Sequence, residues 1–195
     1  MYFPYPSNTR YDINWFLYSL INSHLNDMLH RYSRVLGVRI DLFYIKSTSR
    51  FRQSTYRTIE SDVRKLMTKT ESCSFVTGYF WVIERTPDHG FHAHVIFYLD
   101  GHHTQKPFPL VQRVSEFWRE ITNAEGYYNW SNYKKNYQAD INRKINHSDI
   151  KSINELRYII SYLAKEEQKN GMYIWGSNEV PPPSGLGRPR NSDSL

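Results

Sequence analysis

The sequence has a single cysteine, Cys73, in 195 residues. That excludes an intramolecular disulfide and any multi-cysteine zinc site, and is the cysteine usage of a cytoplasmic protein. Long apolar runs are also missing: no window approaches the ~18 consecutive apolar residues of a membrane span, so no membrane partner is expected. The N-terminus, MYFPYPSNTR, lacks the charged-then-apolar order of a signal peptide. There is no internal repeat, and no G-x-x-x-x-G-K-[ST] phosphate loop. Acidic residues are outnumbered, 19 against 25 basic, for a net charge of +6. A basic balance favours a polyanionic partner, most simply nucleic acid. Apolar residues make up 39% and aromatics 16% of the chain. That is too hydrophobic for a disordered chain, and the length suits one domain.

Hydrophobic spacing divides the chain into elements. Ile13, Phe16, Leu17, Leu20, Ile21, Met28 and Leu29 predict a helix over 11–33. In RVLGVRIDLFYI, Val38, Ile40, Leu42 and Tyr44 alternate with Arg39, Asp41 and Phe43, which predicts a strand with one apolar face. The basic segment 46–53 reads as a loop, followed by a second helix capped by Ser54. SFVTGYFWVIE (74–84) and GFHAHVIFYL (90–99) are joined by turn-formers Pro87, Asp88 and Gly90 and predict a β-hairpin. A third helix is expected over 108–122, a strand over 137–145, and a last helix over 152–169. The order lacks regular βαβ alternation, so an α+β fold with a mostly antiparallel central sheet and packed helices is expected. Residues 1–175 would form one domain, and 176–195, rich in Pro, Gly and Ser, a flexible basic tail. An initiating Met and that tail read as a complete chain.

The sharpest feature is His92-Ala93-His94 within a predicted strand. Side chains at i and i+2 share a face, so two imidazoles can converge on one ion. Glu84 would face them across the hairpin, where cross-strand neighbours lie about 4.5–5.5 Å apart at Cβ. Two His and one Glu suit Mn²⁺ or Zn²⁺, and Mg²⁺ when water and substrate phosphate supply further oxygens. Strand histidines are also common as half-buried polar residues with no ligand. On the last predicted helix, Tyr158 and Tyr162 stack four apart, with Lys165 on nearly the same side. A tyrosine hydroxyl beside a cation can attack a phosphate ester. Either tyrosine alone is as easily an edge residue of the core.

Together these residues resemble the HUH endonuclease superfamily: rolling-circle replication initiators, relaxases and single-strand transposases. WVIERTPDHGFHAHVIFYLD is similar to the superfamily's metal motif and RYIISYLAKEEQ to its tyrosine motif. SYLAK with the downstream GLGRPR (185–190) is most similar to the inovirus replication-protein type, the YagK/YfjJ family, and VRIDLFYIK (38–46) would be its first motif. The resemblance implies an HUH-type nuclease fold and assigns Glu84, His92 and His94 as ligands of a divalent metal, Mg²⁺ or Mn²⁺. Tyr162 would be the nucleophile, Tyr158 a second tyrosine or a structural one, and Lys165 the residue that orients the phosphate. The activity implied is nicking and joining of single-stranded DNA through a 5′-phosphotyrosine, starting rolling-circle replication of a phage or plasmid in a bacterial host. The partner would be single-stranded DNA at a replication origin. Without a phosphate loop, duplex opening falls to supercoiling, an extruded hairpin or a host helicase, and the free 3′ end would prime a polymerase. Three other readings remain: a transposase of the same superfamily, a zinc-dependent hydrolase with dispensable tyrosines, and a non-catalytic DNA-binding relative.

Material for DNA contact is present. Tyr127, Tyr128, Trp130, Tyr133 and Tyr137 are interleaved with Lys134, Lys135, Arg143 and Lys144, a mixture suited to stacking on bases while following the backbone. Arg50, Arg52 and Arg57 add candidate phosphate contacts. The same aromatics suit a core, and the same charges a solvated face.

Overall fold

The computed structural model describes residues 5–131, 143–169 and 171–183. Helix α1 (Trp15–Arg31) begins where the Asn14 side chain accepts from the Leu17 amide at 2.9 Å. It buries Leu17, Ile21, Leu25 and Met28, one residue per turn on a single face. It starts later than its apolar spacing suggests. Residues 12–14 are drawn instead against the segment after the last helix, with Asn14 N donating to Ala164 O and Glu166 N to Asp12 O, both at 2.7 Å.

Strand β1 (Arg34–Tyr44) is followed by a short helix α2 (Ser49–Gln53), in the segment expected to be a loop. The reason is a cap: Thr48 Oγ1 accepts from the Phe51 amide. Helix α3 (Tyr56–Thr70) is capped by Thr55 rather than Ser54, because Thr55 and Thr58 form a reciprocal capping box. The hairpin is β2 (Val76–Thr86) and β3 (Gly90–Asp100), with Gly90 at φ +60°, a conformation glycine adopts without strain. Next come α4 (Phe108–Ile121), β4 (Gly126–Trp130), β5 (Lys144–Asn146) and α5 (Ile150–Ile160). The strand expected over 137–145 overlaps β5 only at its end, and 132–142 lie outside the described residues. The last helix is shorter than expected. After Ile160 it tightens into a 3₁₀ turn (Ser161–Ala164), and Lys165 is extended.

All strands pair antiparallel, in the order β4-β1-β3-β2 followed by a last strand β6 (Trp175–Ser177), with β5 also on β1. The fold is α+β, as expected from the element order. Strand β6 (Trp175–Ser177) corrects the start of the tail: Gly176 and Ser177 pair with Trp81 and Phe80 of β2. Gly176 lies so close to Trp81 that an added Cβ would fall 2.4 Å from its indole ring. One sheet face packs α3 and α4 through Val38, Ile40, Leu42, Trp81, Val95 and Phe97. The other packs α1 and α5 through Phe80, Val82, Ile96 and Tyr98. No helix among the described residues is long and apolar enough to cross a membrane.

Candidate metal centre

The α1/α5 face continues along β1, β2 and β3 past its apolar core into a set of buried charges. Hairpin register sets Glu84 directly opposite His92, and His94 opposite Val82. Period-two alternation then points Glu84, His92 and His94 to one side. All three residues are buried, at 2–3% exposure. One ligand atom from each lies within 4.8 Å of the others.

Each imidazole is anchored through Nδ1. His92 Nδ1 donates to the Gly90 carbonyl at 3.0 Å, and His94 Nδ1 to Asp41 Oδ1 at 2.7 Å. Both Nε2 atoms are thereby turned toward Glu84 Oε2, at 3.9 Å from His92 and 3.1 Å from His94. Anchoring of the remote ring nitrogen by a carbonyl or carboxylate is the usual support of a metal-binding histidine. Burial, reinforced by the charge of His94, lowers the His92 pKa to about 4, so its Nε2 lone pair is free at neutral pH. Burial opposes protonation of His94 as well, but the Asp41 and Glu84 carboxylates outweigh it and raise its pKa. The donor set of two imidazoles and a carboxylate, gathered within 4.8 Å, fits a divalent ion in its chemistry.

Tyr162 comes to the same place. Its ring meets His94 edge-on at 5.2 Å, and the Arg39 guanidinium lies 4.1 Å from its centroid. Lys165 Nζ donates to Tyr162 Oη at 2.6 Å and pairs with Glu84 Oε2 at 3.0 Å. This closeness follows from the broken helix. The 3₁₀ turn and extended Lys165 fold the chain back over the hairpin, which a continuous helix would not do. Tyr158 is half-buried on the preceding turn and has no described contact with Glu84, His92 or His94.

The sequence did not single out three further members. Asp41 orients His94 and is held by Arg39 through two contacts of 3.1 Å. Both sit on the strand face opposite the apolar one, and an Arg-x-Asp pair inside a strong strand was the available signal. Lys169, 1% exposed, donates to Glu84 Oε1 at 2.7 Å and to the Lys165 carbonyl at 2.6 Å. It reads as an outward helical lysine only while the helix is taken to run on to 169.

The basic candidates among the described residues have no contact with this cluster. Arg50 is engaged by Asp62 at 2.9 Å and the Ile121 carbonyl at 3.2 Å, beside α3 and α4 on the other sheet face. Arg52 and Arg57 are exposed and donate to the Ser47 carbonyl and Tyr56 hydroxyl. Arg143 pairs with Glu155 at 2.6 Å, and Lys144 is exposed on β5. Tyr133, Lys134 and Lys135 lie outside the described residues.

Two expectations follow. Asp41→Asn removes the charge that anchors His94 and should weaken Mn²⁺ affinity about 10–100-fold by titration calorimetry. Unchanged affinity would show that the anchor does not matter. Acid should also destabilise the metal-free protein. Between pH 6.5 and about 4, the unfolded chain binds a proton at His92 that the folded chain excludes, so stability falls as pH falls. His94, with its raised pKa, is protonated in both states there and adds no slope. The melting midpoint should drop by roughly 5–10 °C across that window, and His92→Gln should flatten the dependence.

The model of the family described as "YagK/YfjJ C-terminal domain" matches residues 8–177. No curated protein matches the chain. Among solved structures, the chain is similar to the N-terminal nuclease domain of the non-structural protein-1 of minute virus of mice. Identity is 9% over 82% of this chain and 90% of that one, with a TM-score of 0.41. So loose a likeness carries no argument about the site.

Proposed function

The chain belongs to the YagK/YfjJ C-terminal domain family, and we propose that it nicks and rejoins single-stranded DNA through a covalent link to Tyr162. The observation that carries this reading is the bridge made by Lys165, whose ammonium touches both the Tyr162 hydroxyl at 2.6 Å and the Glu84 carboxylate at 3.0 Å. A phenol oxygen and a candidate metal ligand thus share one cation.

Glu84, His92 and His94 would hold a divalent ion, Mg²⁺ or Mn²⁺, whose chemistry is withdrawal of electron density from the scissile phosphate. The remaining roles fall to the chain itself. Arg39 fixes the Tyr162 ring from one face. Lys165 orients the phenolic oxygen and offers charge to the phosphate. Lys169 holds the Glu84 carboxylate in place from the other oxygen. Attack by the phenolic oxygen forms a bond to phosphorus as the bond to the 3′-oxygen breaks, and the phenolic proton is balanced on the released 3′-hydroxyl. The phosphate remains a diester, so the reverse step rejoins strands. Such a product also leaves a 3′ end able to prime a polymerase. Initiation of rolling-circle replication at a phage or plasmid origin, in the manner of the inovirus proteins, is the setting we propose. Strand opening would be supplied by supercoiling or a host helicase.

The test is transfer of label from single-stranded DNA to protein. The broken bond leaves the phosphate on the downstream strand, so a 3′-end label should enter the protein band on a denaturing gel with Mn²⁺, and a 5′-end label should not. DNA retained on a native gel without cutting would make the chain a binding protein. Ester hydrolysis without label transfer would make it a metal hydrolase. Tyr158→Phe should leave the yield within about twofold, as expected for a side chain remote from the reacting atoms.

A further inference from the structure

One end of the metal-centre face is lined by aromatic rings that neither core absorbs. Tyr127 on β4 pairs with Phe43 on β1. Their rings stack at 5.0 Å and 15°. Phe43 stacks in turn on His92 at 5.2 Å and 19°. His89, in the exposed hairpin turn, leans on Phe43 at 5.2 Å. Three strands thus contribute a ladder of near-parallel rings that ends on a candidate metal ligand. Its outer member, Tyr127, is 41% exposed, although its neighbours Tyr128 and Trp130 turn the other way and pack on the α3/α4 core. No residue of β4 joins the core beneath α1 and α5. Among the described residues, β4 ends the sheet and Tyr127 presents an aromatic face there, on the same side as Arg39, Lys165 and Lys169.

We infer that Tyr127, backed by Phe43 and His89, is a shelf on which an unpaired nucleobase stacks. Its placement next to the reacting phosphate rests on the nuclease reading above, but its chemistry does not. A half-exposed π-face whose ring stack ends on His92, a candidate ligand of a divalent ion, matches a base attached to a phosphate backbone. Every base has such a face, so the shelf holds a strand without selecting its sequence. A duplex cannot use it, because its bases are already stacked on one another.

The experiment uses the full chain with Mn²⁺ and a single-stranded dT20 carrying one 2-aminopurine, whose fluorescence is quenched by stacking. The wild type should bind with quenching, and should bind the same sequence as a duplex without it. Tyr127→Ala should weaken single-strand binding by about 5- to 150-fold, the range for loss of one base–aromatic stack, and abolish the quench. Tyr127→Trp keeps a ring and should restore both, which rules out misfolding as the cause. Tyr127→Ala that binds and quenches like the wild type would overturn the shelf, as would equal binding of duplex and single strand. The two readings fail separately. Tyr127-dependent stacking without any covalent adduct keeps the shelf and removes the nuclease. A covalent adduct formed with unchanged affinity by Tyr127→Ala does the reverse.

Discussion

Tyr162→Phe should abolish transfer of a 3′-end label from single-stranded DNA to the protein, a loss of about 10³-fold or more. The substitution removes one oxygen and keeps the ring. Contacts of the ring with His94, Arg39 and Tyr11, at 5.2, 4.1 and 5.3 Å, are all retained. Folding, ion affinity and DNA affinity should therefore stay near wild type, and the loss would belong to the bond-forming step alone. Lys165→Met gives a different pattern. It removes a cation from both Tyr162 and Glu84, so label transfer should fall steeply while some ion binding persists. If Tyr162→Phe still forms the adduct, another residue attacks and the hydroxyl contact to Lys165 is structural.

Glu84→Gln should have the largest effect on the fold. The carboxylate is fully enclosed and paired with Lys169 at 2.7 Å and Lys165 at 3.0 Å. Removing one partner of a buried ion pair strands the other charge, at a typical cost of about 3–5 kcal/mol. Burial alone would raise the Glu84 pKa, but His94, Lys169 and Lys165 bring it down to about 2. A carboxylate depressed in the folded state contributes stability above its unfolded value near 4.5 and loses it as pH falls toward 2. Glu84→Gln should therefore lower the melting midpoint at pH 7 and remove part of the acid sensitivity below pH 4.5. Adding Lys169→Met to Glu84→Gln should recover part of the stability, because one of the two stranded ammoniums goes too while Lys165 keeps its contacts with Tyr162 and Gln168. It should not recover Mn²⁺ binding. A double variant that regains the ion would exclude Glu84 as a ligand.

The hairpin was legible because two local signals agree there. Alternation of apolar residues set the strand faces, and Pro87, Asp88 and Gly90 set the turn. Together they fixed the register that brings Glu84 opposite His92. The first motif was half legible: β1 was expected as a strand with one apolar face, yet its other face is buried as well. Arg39 and Asp41 neutralise each other there, which lets charge occupy an enclosed strand. Apolar spacing misled at the last helix. Ile153, Leu156, Ile160 and Leu163 remain buried on through the change from α to 3₁₀ winding, so hydrophobicity gives no mark of where the helix ends. That break is what returns Lys165 and Lys169 to Glu84. Short elements were harder still. Helix α2 depends on a single threonine cap, and β6 on a glycine that lets the backbone pass close to Trp81.

The most direct measurement is to digest the protein–DNA adduct with protease and nuclease and locate the nucleotide-bearing residue by mass spectrometry. One phosphonucleotide on Tyr162, formed with Mn²⁺ and absent in His92→Ala/His94→Ala, is the outcome the geometry predicts. A nucleotide on Tyr158 or any other residue, or an adduct indifferent to the histidines, would contradict it.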